Sequence, residues 1–170
     1  MARRGSLREF QENLSKRIAT ASSQERVQTK LAAESGGVLW VLNLPDAGEV
    51  MPLPPLAPAP LTRHWFLGIV NIRGNLFSVI DFAAFCGKAP TPRNSAVRLL
   101  LVGQRHGVNA ALVFQRVAGL RNERDLRPVG RMEMAPAWQG NDYQDGEGRQ
   151  YRELNVGELM RTVDFLNVAA

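Results

Sequence analysis

The run WFLGIVNIRGNLFSVIDF, residues 65–82, constrains the fold more than any other stretch. Two apolar arms flank Arg73-Gly74-Asn75, and a short glycine-bearing turn between alternating apolar arms specifies a β-hairpin. Gly74-Asn75 at the two central positions satisfies a type II′ turn, whose first central residue needs a positive φ. That placement pairs Ile72 with Phe77, Val70 with Val79 and Ile69 with Ile80. Period-two alternation then puts Val70, Ile72, Phe77 and Val79 on one wholly apolar face. Arg73, Asn71 and Ser78 fall on the other face near the turn, with Ile69 and Ile80 further back. One face belongs to a core, while the other is polar at its tip and apolar at its root, the pattern of a surface on which a partner packs.

The flanking segments extend the β texture. VLWVLNL, residues 38–44, reads as a strand and EVMPLP, residues 49–54, as its return, with Pro45-Asp46-Ala47-Gly48 as the turn. PLPPLAPAP, residues 52–60, forbids helix and central strand and reads as an extended surface connector. Residues 96–122 repeat the hairpin design around Arg105-His106-Gly107. The segment 123–150 is polar, and the chain closes with a short strand, a short helix and a strand or packed tail around Phe165 and Leu166. Short strands with regular turn signals make the chain mainly β, a barrel or sandwich rather than βαβ units. Residues 6–34 differ. Ser6 and Glu9 have capping-box spacing, and Leu7, Phe10, Leu14 and Ile18 recur at three- and four-residue intervals. Val27 and Leu31 continue the stripe weakly. This predicts an amphipathic helix that docks on the chain's own core or, alternatively, on a partner.

Composition limits the function. No apolar run approaches the roughly 18 residues a membrane-spanning helix needs. The basic N-terminus is followed by no apolar stretch of a secretory signal, and a single cysteine makes no internal disulfide, so a cytoplasmic location is expected. The formal charge is +5, carried by arginines that are interspersed with acids along the chain. A basic β-barrel binding nucleic acid is therefore the alternative reading. His64, His106 and Cys86 have no metal-ligand spacing with one another, and Cys86 sits in apolar surroundings that suit a small buried hydrophobe. No phosphate loop or nucleophile elbow is present, and Asp81, Asp142 and Asp145 suit turn or cap roles. No catalytic residue, metal or cofactor is assigned.

Residues 65–82 resemble the CheW-like family of chemotaxis coupling proteins. Phe66, Gly68, Asn71, Arg73, Gly74, Val79, Ile80 and Asp81 stand in the places of that family's motif. HGVNAALVFQRVAGL is similar to its glycine-bearing hairpin, with Phe114-Gln115 in place of the usual Val-Asp. WQGNDYQDGEGRQYRELNVGEL is similar to its closing element, with Gly140 as the matching glycine. The divergent C-terminal half looks most like the type IV pilus twitching-motility branch. The resemblance implies two small intertwined five-stranded SH3-like β-barrels over residues 37–170, behind a helical extension over 1–36. It implies a non-enzymatic signalling adaptor that couples a methyl-accepting chemoreceptor's cytoplasmic helical hairpin to the regulatory domain of a CheA-like histidine kinase. The receptor tip is expected in an apolar groove between the barrels. Arg73 matches the family's functional arginine at that groove, and Gly68, Gly107 and Gly140 match glycines tied to receptor coupling. Ile69, Asn71, Gly74 and Ile80 complete the expected receptor- and kinase-binding set. One departure is MPLPPLAPAP, which stands where the family has Val-x-Glu-Ile opening a short helix, with no acid after Glu49.

Overall fold

The structure, a computed structural model, describes residues 28–170. Strands β1 (Thr29–Ser35) and β2 (Val38–Asn43) begin a first sheet; the chain then crosses to a second sheet made of β3 (Ala47–Pro52), β4 (Phe66–Ile72), β5 (Asn75–Asp81), β6 (Arg98–Val102) and β7 (Ala110–Phe114). It returns to the first with β8 (Arg116–Asn122), β9 (Arg127–Gly130), β10 (Gln139–Gln144) and β11 (Gln150–Leu154). Short helices α1 (Phe82–Phe85), α2 (Val156–Leu159) and α3 (Val163–Leu166) complete the described residues. The strand orders are β8-β1-β2-β11-β10-β9 and β3-β6-β7-β5-β4. All pairings are antiparallel except β2 with β11 and β5 with β7, so both sheets are mixed. The second sheet is thus inserted whole into the first, and the two β-barrels are intertwined through the chain path.

Three cores follow from strand alternation. In β6, Leu99 and Leu101 point into the second barrel while Leu100 and Val102 point toward the first sheet. In β7, Ala111 and Val113 go one way, and Ala110, Leu112 and Phe114 the other. In β2, Val41 enters the first barrel while Trp40 and Leu42 face the core between the sheets. Strands buried on both faces read as continuous apolar runs, which is why RLLLV and AALVF show no polar alternation. The central core carries most of the aromatic side chains: Trp40, Trp65, Phe82, Phe85, Phe114, Trp138 and Phe165 make edge-on and stacked pairs.

Three expectations are corrected. The helix expected over 6–34 is not found in the part described: Thr29–Ser35 is strand β1, and residues 6–27 lie outside the described residues. Ala32 and Ala33 are fully buried between close neighbours on opposite faces, and this packing overrides alanine's helix propensity. Because β1 joins the first sheet, that sheet has six strands rather than five. Ala47–Pro52 is a strand but not the return of β2; Leu44–Asp46 form a 3₁₀ turn, and β3 pairs with β6 in the other sheet. Of the two readings of the tail around Phe165, strand or packed tail, the packed one is found: the segment is a short helix with Phe165 buried.

The hairpin turn is also shifted. Ile72 pairs with Asn75 and Val70 with Phe77, so Arg73-Gly74 are the central residues. Both have positive φ, 51° and 86°, the type I′ arrangement whose twist matches the strands. The Asn71 side chain accepts a hydrogen bond from the Gly74 amide at 2.9 Å and secures this choice. The shift moves the register by two residues, so the predicted faces survive: Val70, Ile72, Phe77 and Val79 all pack in the second barrel.

Candidate functional site

Arg73 stands at the hairpin tip, 76% exposed, and its guanidinium forks onto Glu49 of β3, with Nη1 2.9 Å from Oε2 and Nη2 3.0 Å from Oε1. β3 and β4 are the two edges of the five-stranded sheet, so this bidentate pair joins one edge to the hairpin tip beside the other. Glu49 is the acid that the sequence reading passes over by looking beyond it. The outer face of the hairpin then grades inward. Asn71 lies opposite Leu76, both exposed; Ile69 lies opposite Ser78; Phe66 lies opposite Ile80. Ile69 and Asn71 are accessible. Ile80 is not: it is 1% exposed and belongs to the core between the sheets, because β5 is the strand there that pairs with β7. Of the two apolar residues expected at the root of this face, Ile69 is accessible and Ile80 is covered by the chain itself.

The three glycines differ in what they do. Gly68 has φ +129° and faces the proline-rich segment, where an added Cβ would lie 3.0 Å from the Ala57 carbonyl carbon and closer still to its oxygen. Ala57 and Ile69 exchange backbone hydrogen bonds of 2.9 and 2.8 Å, so the proline-rich connector is pinned at Ala57 against the outer edge of β4. Gly68→Ala is expected to destabilise the fold by about 2–4 kcal/mol, from strain plus overpacking, with a matching fall in the urea midpoint. An unchanged midpoint contradicts the packing role. Gly107 closes the 3₁₀ turn Gln104–His106 in a left-handed conformation. That turn places Arg105 and His106 on Asp46, whose Oδ1 lies 2.6 Å from Arg105 Nη2 and 2.8 Å from His106 Nε2. Asp46 lies in the crossover between sheets, so the loop clasps the junction. Gly140 leaves room for the Glu153 side chain; a Cβ there would meet Glu153 Cγ at 2.8 Å. Glu153 accepts from Lys30 Nζ at 2.8 Å, and this lysine, 2% exposed, also donates to Asn43 Oδ1 at 2.9 Å. Gly140 therefore supports a half-buried ion pair between β1 and β11, a partnership with no local sequence signal.

Sequence reasoning also misses an apolar margin beside the central core. Leu120, 56% exposed, lies opposite buried Leu31; Val50 lies opposite buried Leu100; Leu44 follows two residues after buried Leu42. Leu120 and Val50 thus stand beside inter-sheet core residues, on the edge strands β8 and β3.

Other chemistry-bearing groups are accounted for locally. Asp81 caps α1, accepting from the amides of Ala83 and Ala84 at 3.1 and 3.2 Å and from the Thr91 amide and hydroxyl at 2.8 Å each. Asp145 accepts from the Tyr151 hydroxyl at 2.9 Å and pairs with Arg149, and Asp142 pairs with Arg152. Burial pushes the Cys86 thiol up to about 12, so it is not a thiolate at neutral pH. Among the described residues no three His, Cys, Asp or Glu side chains converge as metal ligands, and no helix is long and apolar enough to cross a membrane.

The comparisons with known proteins agree with this architecture. The chain is similar to Protein PilI of Pseudomonas aeruginosa, 29% identical over 103 residues, which are 59% of this chain and 57% of that protein. The match thus spans less than two thirds of the relative. Among solved structures, the scaffolding protein TtCheW from Thermoanaerobacter tengcongensis superposes with a TM-score of 0.63 at 20% identity, covering 75% of this chain and 88% of that one. Residues 31–163 match the CheW-like domain model, and the chain belongs to the CheW-like domain family.

Proposed function

We propose that the protein is a non-enzymatic signalling adaptor that couples a chemoreceptor's cytoplasmic helical hairpin to the regulatory domain of a CheA-like histidine kinase, in a system controlling type IV pilus twitching motility. The observation that carries the reading is the Arg73–Glu49 fork at the hairpin tip, beside exposed Asn71, Leu76 and Ile69. Membership of the CheW-like family and the likeness to PilI and to the scaffolding protein TtCheW support it. A helix laid against an apolar surface gains from side chains at i, i+3, i+4 and i+7, and an arginine at the rim fixes its orientation. Moderate contacts repeated in an array raise avidity by about 10²–10⁴. Such a protein passes a signal by holding its partners in geometries that depend on receptor state.

The nucleic-acid alternative is less well supported. Arg73, Arg105, Arg116, Arg149, Arg152 and Arg161 are each bonded to a carboxylate, so much of the basic charge is neutralised in place. Calorimetric titration of the protein with the receptor hairpin, beside a gel shift at physiological salt, separates the two. Receptor binding without a shift is expected; a shift without receptor binding contradicts the adaptor.

A further inference from the structure

Residues 121–127, RNERDLR, place an arginine at every third position, in the other sheet from the hairpin that carries Arg73. Glu123–Asp125 form a 3₁₀ turn between β8 and β9, and in such a turn side chains three apart share a side. Asn122 starts the turn, its Oδ1 accepting from the Arg124 amide at 2.9 Å, and buried Leu126 anchors its end in the first barrel. Arg121, Arg124 and Arg127 line one cleft of about 500 Å³, whose other wall is the β10–β11 turn with Asp145, Glu147 and Arg149. We propose that this cleft binds a single phosphate group, carried by a small ester or free in solution.

Four arginines and three carboxylates, those of Asp125, Asp145 and Glu147, line the cleft and leave it one net positive charge. Bonding makes the balance more favourable than the count. Asp145 is committed within its own loop: Oδ1 accepts from the Glu147 and Arg149 amides at 2.9 Å each, and Oδ2 from the Tyr151 hydroxyl at 2.9 Å and Arg149 Nε at 3.0 Å. Glu147 is bonded to Arg149 as well. Arg121 is held differently. Its Nε donates to the Tyr151 hydroxyl at 3.1 Å and its Nη1 to the Leu120 carbonyl at 2.9 Å, both neutral acceptors. Its guanidinium carbon lies 5.7 Å from the ring centroid of Tyr151, which is itself buried, so the cation is oriented without being neutralised. Arg127, exposed on β9, makes no ion pair among the described residues. A guanidinium fork matches a phosphate oxyanion, and a cleft of this volume suits a small molecule. Among the described residues no aromatic side chain lines the cleft, so the phosphate and not a stacked base is what it recognises. Asp125 and Glu147 repel the further charges of a polyanion, whereas one phosphate dianion needs only the arginines.

The test follows amide shifts of the ¹⁵N-labelled full chain during titration with inorganic phosphate, ribose 5-phosphate and ribose, at ionic strength held constant with sodium chloride. Shifts at Arg121, Arg124 and Arg127 are expected with both phosphates and none with ribose. Tighter binding of the ester assigns the site to phosphate monoesters, and equal binding assigns it to the free anion. Arg127→Gln, at an exposed position, is expected to weaken binding about tenfold. Asp125→Asn, which removes a repulsive charge, is expected to tighten it about two- to threefold. Both variants are expected to melt within about 2 °C of the parent. Absence of shifts overturns the inference, as do shifts no larger than sodium chloride alone produces, unchanged affinity in Arg127→Gln, or weakened binding in Asp125→Asn. Tighter binding of a tetraglutamate peptide than of either phosphate overturns it in favour of an acidic polypeptide. Tighter binding of a single-stranded oligonucleotide overturns it in favour of nucleic acid. No receptor or kinase enters these measurements, so their outcome is independent of the adaptor reading.

Discussion

Arg73→Glu is expected to weaken receptor or kinase binding by tenfold or more, roughly 1.4 kcal/mol at least, while shifting the melting temperature by no more than about 2 °C. The asymmetry follows from exposure. An ion pair at the surface contributes about 0–1 kcal/mol to stability, and Arg73 lies at a turn tip where little packs on it. A rim guanidinium held by its own carboxylate is, in contrast, pre-oriented for a partner. Two companion variants decide what the fork is for. Glu49→Gln leaves the guanidinium present but unheld, and a several-fold loss of affinity is expected. The charge swap Arg73→Glu/Glu49→Arg rebuilds the pair with opposite polarity. Full recovery of binding in the swap shows that only the internal pair matters; no recovery shows that the cation at the tip meets the partner, which is the expected result. Titration calorimetry and thermal melts on the four proteins read both quantities.

The largest effect on stability is expected at Asp81. Its carboxylate is 2% exposed, ends β5, caps α1 and holds the Thr91 backbone and hydroxyl ten residues on. Replacement by alanine leaves four donors without their acceptor in a buried site. Losing the cap alone costs about 1 kcal/mol, and each bond to a buried charged group adds about 1.5–3 kcal/mol before relaxation. A net loss of about 3–5 kcal/mol is expected, lowering the melting temperature by roughly 10 °C. Thr91→Ala removes one of the four bonds and is expected to cost about 1–2 kcal/mol. Urea unfolding with an unchanged slope and a lowered midpoint confirms the ordering Asp81→Ala over Thr91→Ala. Equal and small effects contradict it.

Much of this architecture is written in local pattern. The apolar arms of residues 65–82 predict the hairpin, and because the turn moves by an even register the core-facing set Val70, Ile72, Phe77 and Val79 is predicted correctly despite the wrong turn type. The turn itself was decided by a side chain: Asn71 reaches the Gly74 amide, a bond that residue preferences for turns do not encode. β1 was unreadable for a different reason. TKLAAES is helix-like alone and becomes a strand only because Lys30, Ala32 and Ala33 find buried partners on β2, β8 and β11. Asp81 was legible as a cap because capping is local. The Arg73–Glu49, Lys30–Glu153 and His106–Asp46 pairs join residues 24, 123 and 60 positions apart, and no periodicity reports such distances. The hairpin positions of Arg73, Asn71 and Gly68 were therefore legible, and the partnership of Arg73 with Glu49, which the assembled sheet creates, was not.

The central claim is that this molecule joins two proteins at once without chemistry of its own. Sedimentation velocity on the full chain mixed with the receptor's cytoplasmic hairpin and the kinase's regulatory domain tests it most directly. The account predicts a ternary species containing all three, present only when the CheW-like protein is added and depleted by Arg73→Glu. Binary complexes alone, with each partner displacing the other, contradict it.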